Sequence, residues 1–209
     1  MKKTDEIYSA AFTAGGLLYR ETLFVLDLLL HENAEELLTE EVENNKYIRI
    51  NSQSARQRSL QEIRKRNIYT DNIFWKLFKE SDEEQQRLML FYLCIKAYKL
   101  VFDFHFNVTL PKWKINNHVQ DSFYYKMRLD EIAMSYTEVD SWTSTTQTKV
   151  ITVYLRMIKE SGFVKNNSLS PVSTESSFWE YFIRKKELWF LEACFFNKVQ
   201  RDKIIKEFK

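Results

Sequence analysis

Only three glycines and two prolines occur in 209 residues. Folds rich in β-structure turn tightly and often, and tight turns draw on those two residue types. The shortage therefore points to an all-α protein. Hydrophobic residues make up 44% and aromatics 15% of the chain, a composition that argues against disorder. It suits one large domain or two smaller ones, each with its own core.

Two of the three glycines are adjacent, in the stretch "FTAGGLLYRETLFVLDLLL" from Phe12 to Leu30. Gly15 and Gly16 invite comparison with a phosphate loop, but the lysine and hydroxyl that such a loop needs are missing. The structural reading is stronger: the pair lets the chain turn into a helix over 17–31 with another backbone close by. Arg20 and Glu21 lie inside that apolar run. An isolated buried charge is very costly, so both are expected to be buried and paired, with Arg20 bonded to a carboxylate or to backbone carbonyls.

Periodicity places further helices. Residues 35–44 form an acidic helix with its acids favourably in the first turn. "NSQSARQRSLQEIRKRN" (51–67) opens with capping residues, and another helix spans 71–79. Ser81 and Glu84 form a capping box that opens a long helix over 84–106. Its segment "LMLFYLCIKAYKLVFDFHF" is apolar enough to suggest a membrane span, yet it carries Lys96, Lys99 and Asp103. Three charges at that depth would cost several kcal/mol, so the segment reads as a buried central helix and no membrane partner is expected.

The stretch "NVTLPKWKINN" (107–117) holds a proline and lacks helical period, which marks a boundary between an N-terminal helical domain (1–110) and a C-terminal one (118–209). The second begins with a helix of about four turns from His118, followed by the polar break "TEVDSW". A capping box of Ser144 and Gln147 then opens another helix, Gly162 stands where a helix C-cap belongs, and Phe163 and Val164 start a short strand. An aromatic-rich helix follows. Its rings, like Trp75, Trp113 and Trp142 before it, read as core. A basic tail with Lys198, Arg201, Lys203, Lys206 and Lys209 ends the chain.

The formal net charge is only +2, but the charges are segregated. Glu32, Glu35, Glu36, Glu40, Glu41 and Glu43 form an acidic run, and Arg56, Arg58, Arg64, Lys65 and Arg66 form a basic run directly after it. Such segregation can give a nearly neutral protein a basic face. The basic run can track a phosphate backbone, or it can be solvated surface that complements the acidic helix beside it.

Chemistry-bearing motifs are scarce. Cys94 and Cys194 lie in apolar surroundings and read as buried reduced thiols. "MKKTDE" opens no signal peptide, so a cytoplasmic location is expected. His31, His105 and His118 have no partner at metal-ligand spacing. No nucleophile motif stands out, although 29 acids always offer carboxylate pairs. No catalytic residue, metal site or cofactor is assigned.

The helix after Ser144 says most. At about 100° per residue, Thr145, Lys149, Thr152, Arg156 and Lys159 fall in one stripe, opposite Val150, Tyr154, Met157 and Ile158. One face is core and the other carries hydroxyls and cations without an acid. Thr145, Thr146, Gln147 and Lys149 at the start of such a helix suit phosphate and base-edge contacts. A helix and a polar break come before it and "ESGFVKNN" after, the order of a winged helix-turn-helix over about 121–170. A solvated face on an ordinary amphipathic helix gives the same stripe.

Three blocks resemble one family. "FTAGGLLYRE", "NSQSARQRSLQEIRKRN" with Ser54, Arg56 and Arg58, and "WTSTTQTKVITVYLRMIKESGFV" are similar, in that order, to segments of BrxA, a small component of BREX phage-defence systems. The resemblance implies two helical lobes, the first NusB-like, and a non-enzymatic accessory role involving DNA. Candidate double-stranded DNA contacts are then Ser54, Arg56, Arg58, Arg64 and Lys65 in the first half, and Thr145, Thr146, Gln147, Lys149, Arg156 and Lys159 in the second. Two other readings stay open: an adaptor that docks on other BREX components through its acidic helix and aromatic C-terminal segment, and an RNA-binding protein.

Overall fold

The computed structural model describes residues 7–116 and 121–208. The expectations for "MKKTDE", His118 and Lys209 fall outside these residues. The fold is all-α apart from one two-stranded hairpin, and it divides into two compact units, residues 1–99 and 100–209.

The first unit starts with a 3-10 turn (Ala11–Ala14) and the glycine pair, then α1 (Tyr19–Phe24) and α2 (Leu26–Leu29). The helix expected over 17–31 is thus two short ones that meet at Val25. Gly16 has φ 63, and a Cβ on Gly15 would stand 2.1 Å from the Leu18 side chain, so both positions need glycine for different reasons. Next come α3 (Ala34–Asn44), α4 (Gln53–Asn67), α5 (Asn72–Glu80) and α6 (Glu83–Ala97).

The α6 helix is apolar nearly all round and buries every residue from Leu88 to Ile95. Its cap is Asp82, whose side chain accepts from Gln85 N; Ser81, expected in that role, instead donates to Leu77 O. The long helix expected over 84–106 breaks at Tyr98, which is extended at φ −128 and ψ 113. The break points the Tyr98 phenol at Glu62 and Arg66 of α4.

The chain enters the second unit through α7 (Lys99–Phe104), a π turn (His105–Thr109) and α8 (Leu110–Lys114). Residues 105–114 are therefore helical despite Pro111, because that proline stands in the first turn of α8, where no intrahelical N–H is lost. After the undescribed residues come α9 (Ser122–Ala133), α10 (Thr137–Asp140) and α11 (Ser144–Glu160). The strands β1 (Val164–Lys165) and β2 (Ser168–Leu169) pair antiparallel, and α12 (Ser176–Arg184), α13 (Trp189–Ala193) and α14 (Lys198–Glu207) close the chain.

Candidate nucleic-acid interface

The sequence stripe becomes one exposed face of α11. Thr145, Lys149, Thr152, Arg156 and Lys159 are all exposed, while Val150, Ile151, Val153, Tyr154, Met157 and Ile158 are buried. The cap is Thr143, one residue before the expected Ser144: its hydroxyl accepts from Thr146 N at 3.2 Å and lies 3.0 Å from the Thr146 hydroxyl. Thr146 is thereby engaged in the cap. Gln147 is half-buried and donates to Trp142 O at 3.3 Å, closing the turn into the helix. Thr145, Lys149, Arg156 and Lys159 make up the outward polar face, with Arg156 3.7 Å from Glu160.

A buried polar chain fixes the inner face of α11. Tyr125 of α9, Thr109, Tyr154 of α11 and His105 follow one another at 3.0, 2.6 and 3.1 Å, and His105 Nε2 reaches Ala193 O at 2.8 Å. A carbonyl only accepts, so His105 carries its proton on Nε2 and accepts at Nδ1 from the Tyr154 hydroxyl. Tyr154 then accepts from Thr109, and Thr109 from Tyr125. Burial holds His105 neutral, with its pKa lowered from 6.5 to about 4, and pushes the Tyr125 phenol up to about 12. The chain locks α11 against α9 in a single rotation, and that rotation sets which residues face outward.

The C-terminal end of α11 leads straight into the hairpin. Gly162, at φ 83, donates to Lys159 O and Phe163 donates to Ile158 O, the paired bonds of a Schellman cap. Asn166 and Asn167 have φ 51 and 60, the signs a two-residue type I′ turn requires. Leu169 is buried and anchors the hairpin, while Lys165 at its tip is exposed. Beside the start of α11, Ser122, Phe123 and Lys126 of α9 line a cleft of about 490 Å³ together with Gln147, Thr148 and Thr152. The α9 residues are not legible in the sequence, because only helix packing brings them next to α11, whereas Lys165 follows α11 directly in the chain.

The basic run of α4 has a different fate. Arg56 is buried, and its guanidinium donates to Val42 O and Ile50 O. Arg64 pairs with Glu35 of α3 at 2.8 Å, and Lys65 lies 5.1 Å from the Tyr98 ring centroid. Arg66 is only 2% exposed and donates to Leu17 O and Gly16 O at 2.7 Å and to the Tyr98 hydroxyl at 3.0 Å. Ser54 stays near the cap, its hydroxyl 3.1 Å from that of Ser52, and Arg58 is exposed but donates to Ser54 O. The run therefore ties α4 to α3 and to the glycine turn.

One expectation needs correction here. Arg20 is exposed, with its guanidinium 6.0 Å over the Phe24 ring, and so is not buried as expected. Arg56 and Arg66 are buried in this lobe instead, and it is Arg66 that holds the carbonyls of the glycine turn. Within the acidic run, Glu41 is buried and accepts from Tyr47 N and Ile48 N.

Among the described residues, no group of three or more His, Cys, Asp or Glu is placed to hold a metal ion, and no helix is long and apolar enough to cross a membrane. A BrxA family profile matches residues 6–186. The chain is also similar to a crystal structure of an uncharacterized protein from Magnetospirillum magneticum, with a TM-score of 0.70 and 19% identity over 90% of this chain and 97% of that one. At that identity the likeness speaks to fold alone. No curated protein matches the chain.

Proposed function

The chain belongs to the BrxA family, and from that premise we propose that it is a non-enzymatic accessory protein of BREX phage defence that binds double-stranded DNA through α11 and the hairpin. Membership of the family supports the defence role. The α11 face supports the DNA reading: three cations and Thr145 stand outward on a helix locked from behind. Residues 121–170 then act as a winged helix-turn-helix, with α11 in the major groove and Lys165 on the backbone. Lys149, Arg156, Lys159 and Lys165 neutralise phosphates, and Thr145 reaches a base edge or a phosphate. Ser54, Arg56, Arg58, Arg64 and Lys65 are left out of this interface, because most of that run is already engaged within its own lobe. The NusB-like character of the first lobe remains part of the proposal.

The test is fluorescence anisotropy on a labelled duplex. Joint charge reversal of Lys149, Arg156 and Lys159 is expected to weaken binding at least ten-fold, and single-stranded RNA is expected to compete poorly. Tight binding that survives the reversal, or that RNA displaces first, would sink the DNA reading.

A second reading has its own observation. Phe123 is 59% exposed and Met134 86%, and with Met127 they lie along α9 at helical spacing. Single exposed apolar residues are ordinary, but several on one helix mark a protein-docking face. The adaptor reading predicts that Phe123→Ser with Met127→Ser removes co-purification with other BREX components while duplex binding persists.

A further inference from the structure

The cleft between α9 and α11 opens onto the outward face of α11. Thr152 belongs to both, standing in the exposed stripe and lining the cleft of about 490 Å³. Ser144 and Thr148, also on the lining, directly precede the outward Thr145 and Lys149 in the chain. A strand whose phosphates meet Thr145 and Lys149 therefore passes the mouth of the cleft. Its volume falls within the roughly 300–1,000 Å³ usual for small-ligand sites.

The lining suits a flat, neutral ligand. Ile151, 6% exposed, gives an apolar floor. Phe123 gives an aromatic wall: its ring is 59% exposed and is braced against Tyr124, with centroids 5.8 Å apart at 74°. Ser122, Ser144 and Thr148 bring hydroxyls, each able to donate or accept. Gln147 already donates to Trp142 O, and its side-chain carbonyl oxygen brings an acceptor. Among the described residues no carboxylate lines the cleft, and its one cation, Lys126, donates to Asp130. The cleft thus has little to offer an ammonium or a phosphate. A nucleobase has what the lining asks for, two stackable faces and a rim of donors and acceptors.

We propose that this cleft is a base pocket, which takes one unpaired nucleobase stacked against Phe123 with its edge on Gln147 and the neighbouring hydroxyls. The source of that base, a strand held on the outward face, rests on the duplex reading of α11. A free nucleoside presents the same ring and edge. A base leaves its stack most cheaply where it has no pairing partner, so an unpaired base within a duplex is the ligand the pocket selects. Stacking on an aromatic ring tolerates every base. The pocket therefore separates unpaired from paired rather than one base from another.

Fluorescence anisotropy with two labelled duplexes, one fully paired and one carrying a single unpaired adenine, is the test, with calorimetric titration of adenosine as a third arm. The duplex with the unpaired adenine is expected to bind about five-fold more tightly or better. Phe123→Ala, at an exposed position, erases that preference and leaves both the affinity for paired duplex and the melting temperature unchanged. Met127→Ala, on the same helix but outside the cleft, keeps the preference. Lys149→Ala weakens both duplexes alike. Equal binding of the two duplexes, or a preference that survives Phe123→Ala, overturns the base pocket. If neither duplex binds, the duplex reading of α11 has failed and adenosine decides. Adenosine binding that Phe123→Ala abolishes then identifies a free nucleoside as the ligand, whereas binding that survives the substitution, or none, overturns the pocket as well.

Discussion

His105 couples the second unit's core to pH. It is neutral and fully buried in the folded state, with a pKa near 4 against an ordinary 6.5. Below pH 6.5 the unfolded chain takes up a proton that the folded chain refuses, so this stabilisation is present above that pH and declines as pH falls towards 4. Between pH 7 and 5 the loss is about 2 kcal/mol. Urea midpoints at the two pH values measure it, and His105→Gln is expected to flatten the difference. Arg66 gives a second prediction at the same scale. Replacing it with Met removes the positive charge near buried Glu62, takes a donor from the Tyr98 hydroxyl that bonds Glu62, and frees the carbonyls of Gly16 and Leu17. The expected loss is about 3–5 kcal/mol in urea unfolding, whereas Arg20→Met, at an exposed position, stays within about 0.5 kcal/mol. The sequence carried the need for a buried cation beside the glycine turn but not its identity. Arg20 and Arg66 differ in burial because of tertiary packing 50 positions apart, which local pattern does not encode.

At the scale of elements, α11 was the most legible part of the chain. A 3.6-residue period over 17 residues leaves little freedom in which face is buried, and the predicted stripe and core sides both stand as read. Its ends show where legibility stops. Thr143 and Ser144 are adjacent hydroxyl residues of nearly equal capping strength, so the register of the cap was decided by tertiary fit. Ser81 and Asp82 present the same ambiguity. Gly162 was identifiable because a single glycine after a long amphipathic helix has few other uses. Its φ of 83 predicts that Gly162→Ala destabilises by about 1–2 kcal/mol in thermal or urea unfolding, although a Cβ there meets the Val172 side chain at an ordinary 4.0 Å. The break at Tyr98 and the helical turns through 105–114 were not legible. The first answers to a contact with α4, and the second to a π turn that keeps the helix going past a region without apolar period.

At the scale of the molecule, the two basic runs look alike as sequence and part company as structure. Arg56 and Arg64 of α4 meet acceptors on or beside α3, because acidic and basic helices adjacent in the chain also pack together. The cations of α11 face outward, and Arg156 approaches Glu160 at 3.7 Å. Under the proposed function, duplex DNA falls to the α11 run, while the α4 run is engaged within its own lobe, in a chain of the BrxA family. The salt dependence of duplex affinity tests that assignment most directly. Four phosphates met by Lys149, Arg156, Lys159 and Lys165 predict that log affinity falls against log salt with a slope of about −3.6, and alanine at the three α11 cations reduces its size by about 2.7. Alanine at Arg58, Arg64 and Lys65 is predicted to leave the slope unchanged. A slope indifferent to the α11 cations but lost with the α4 run, or no complex at low salt, would contradict it.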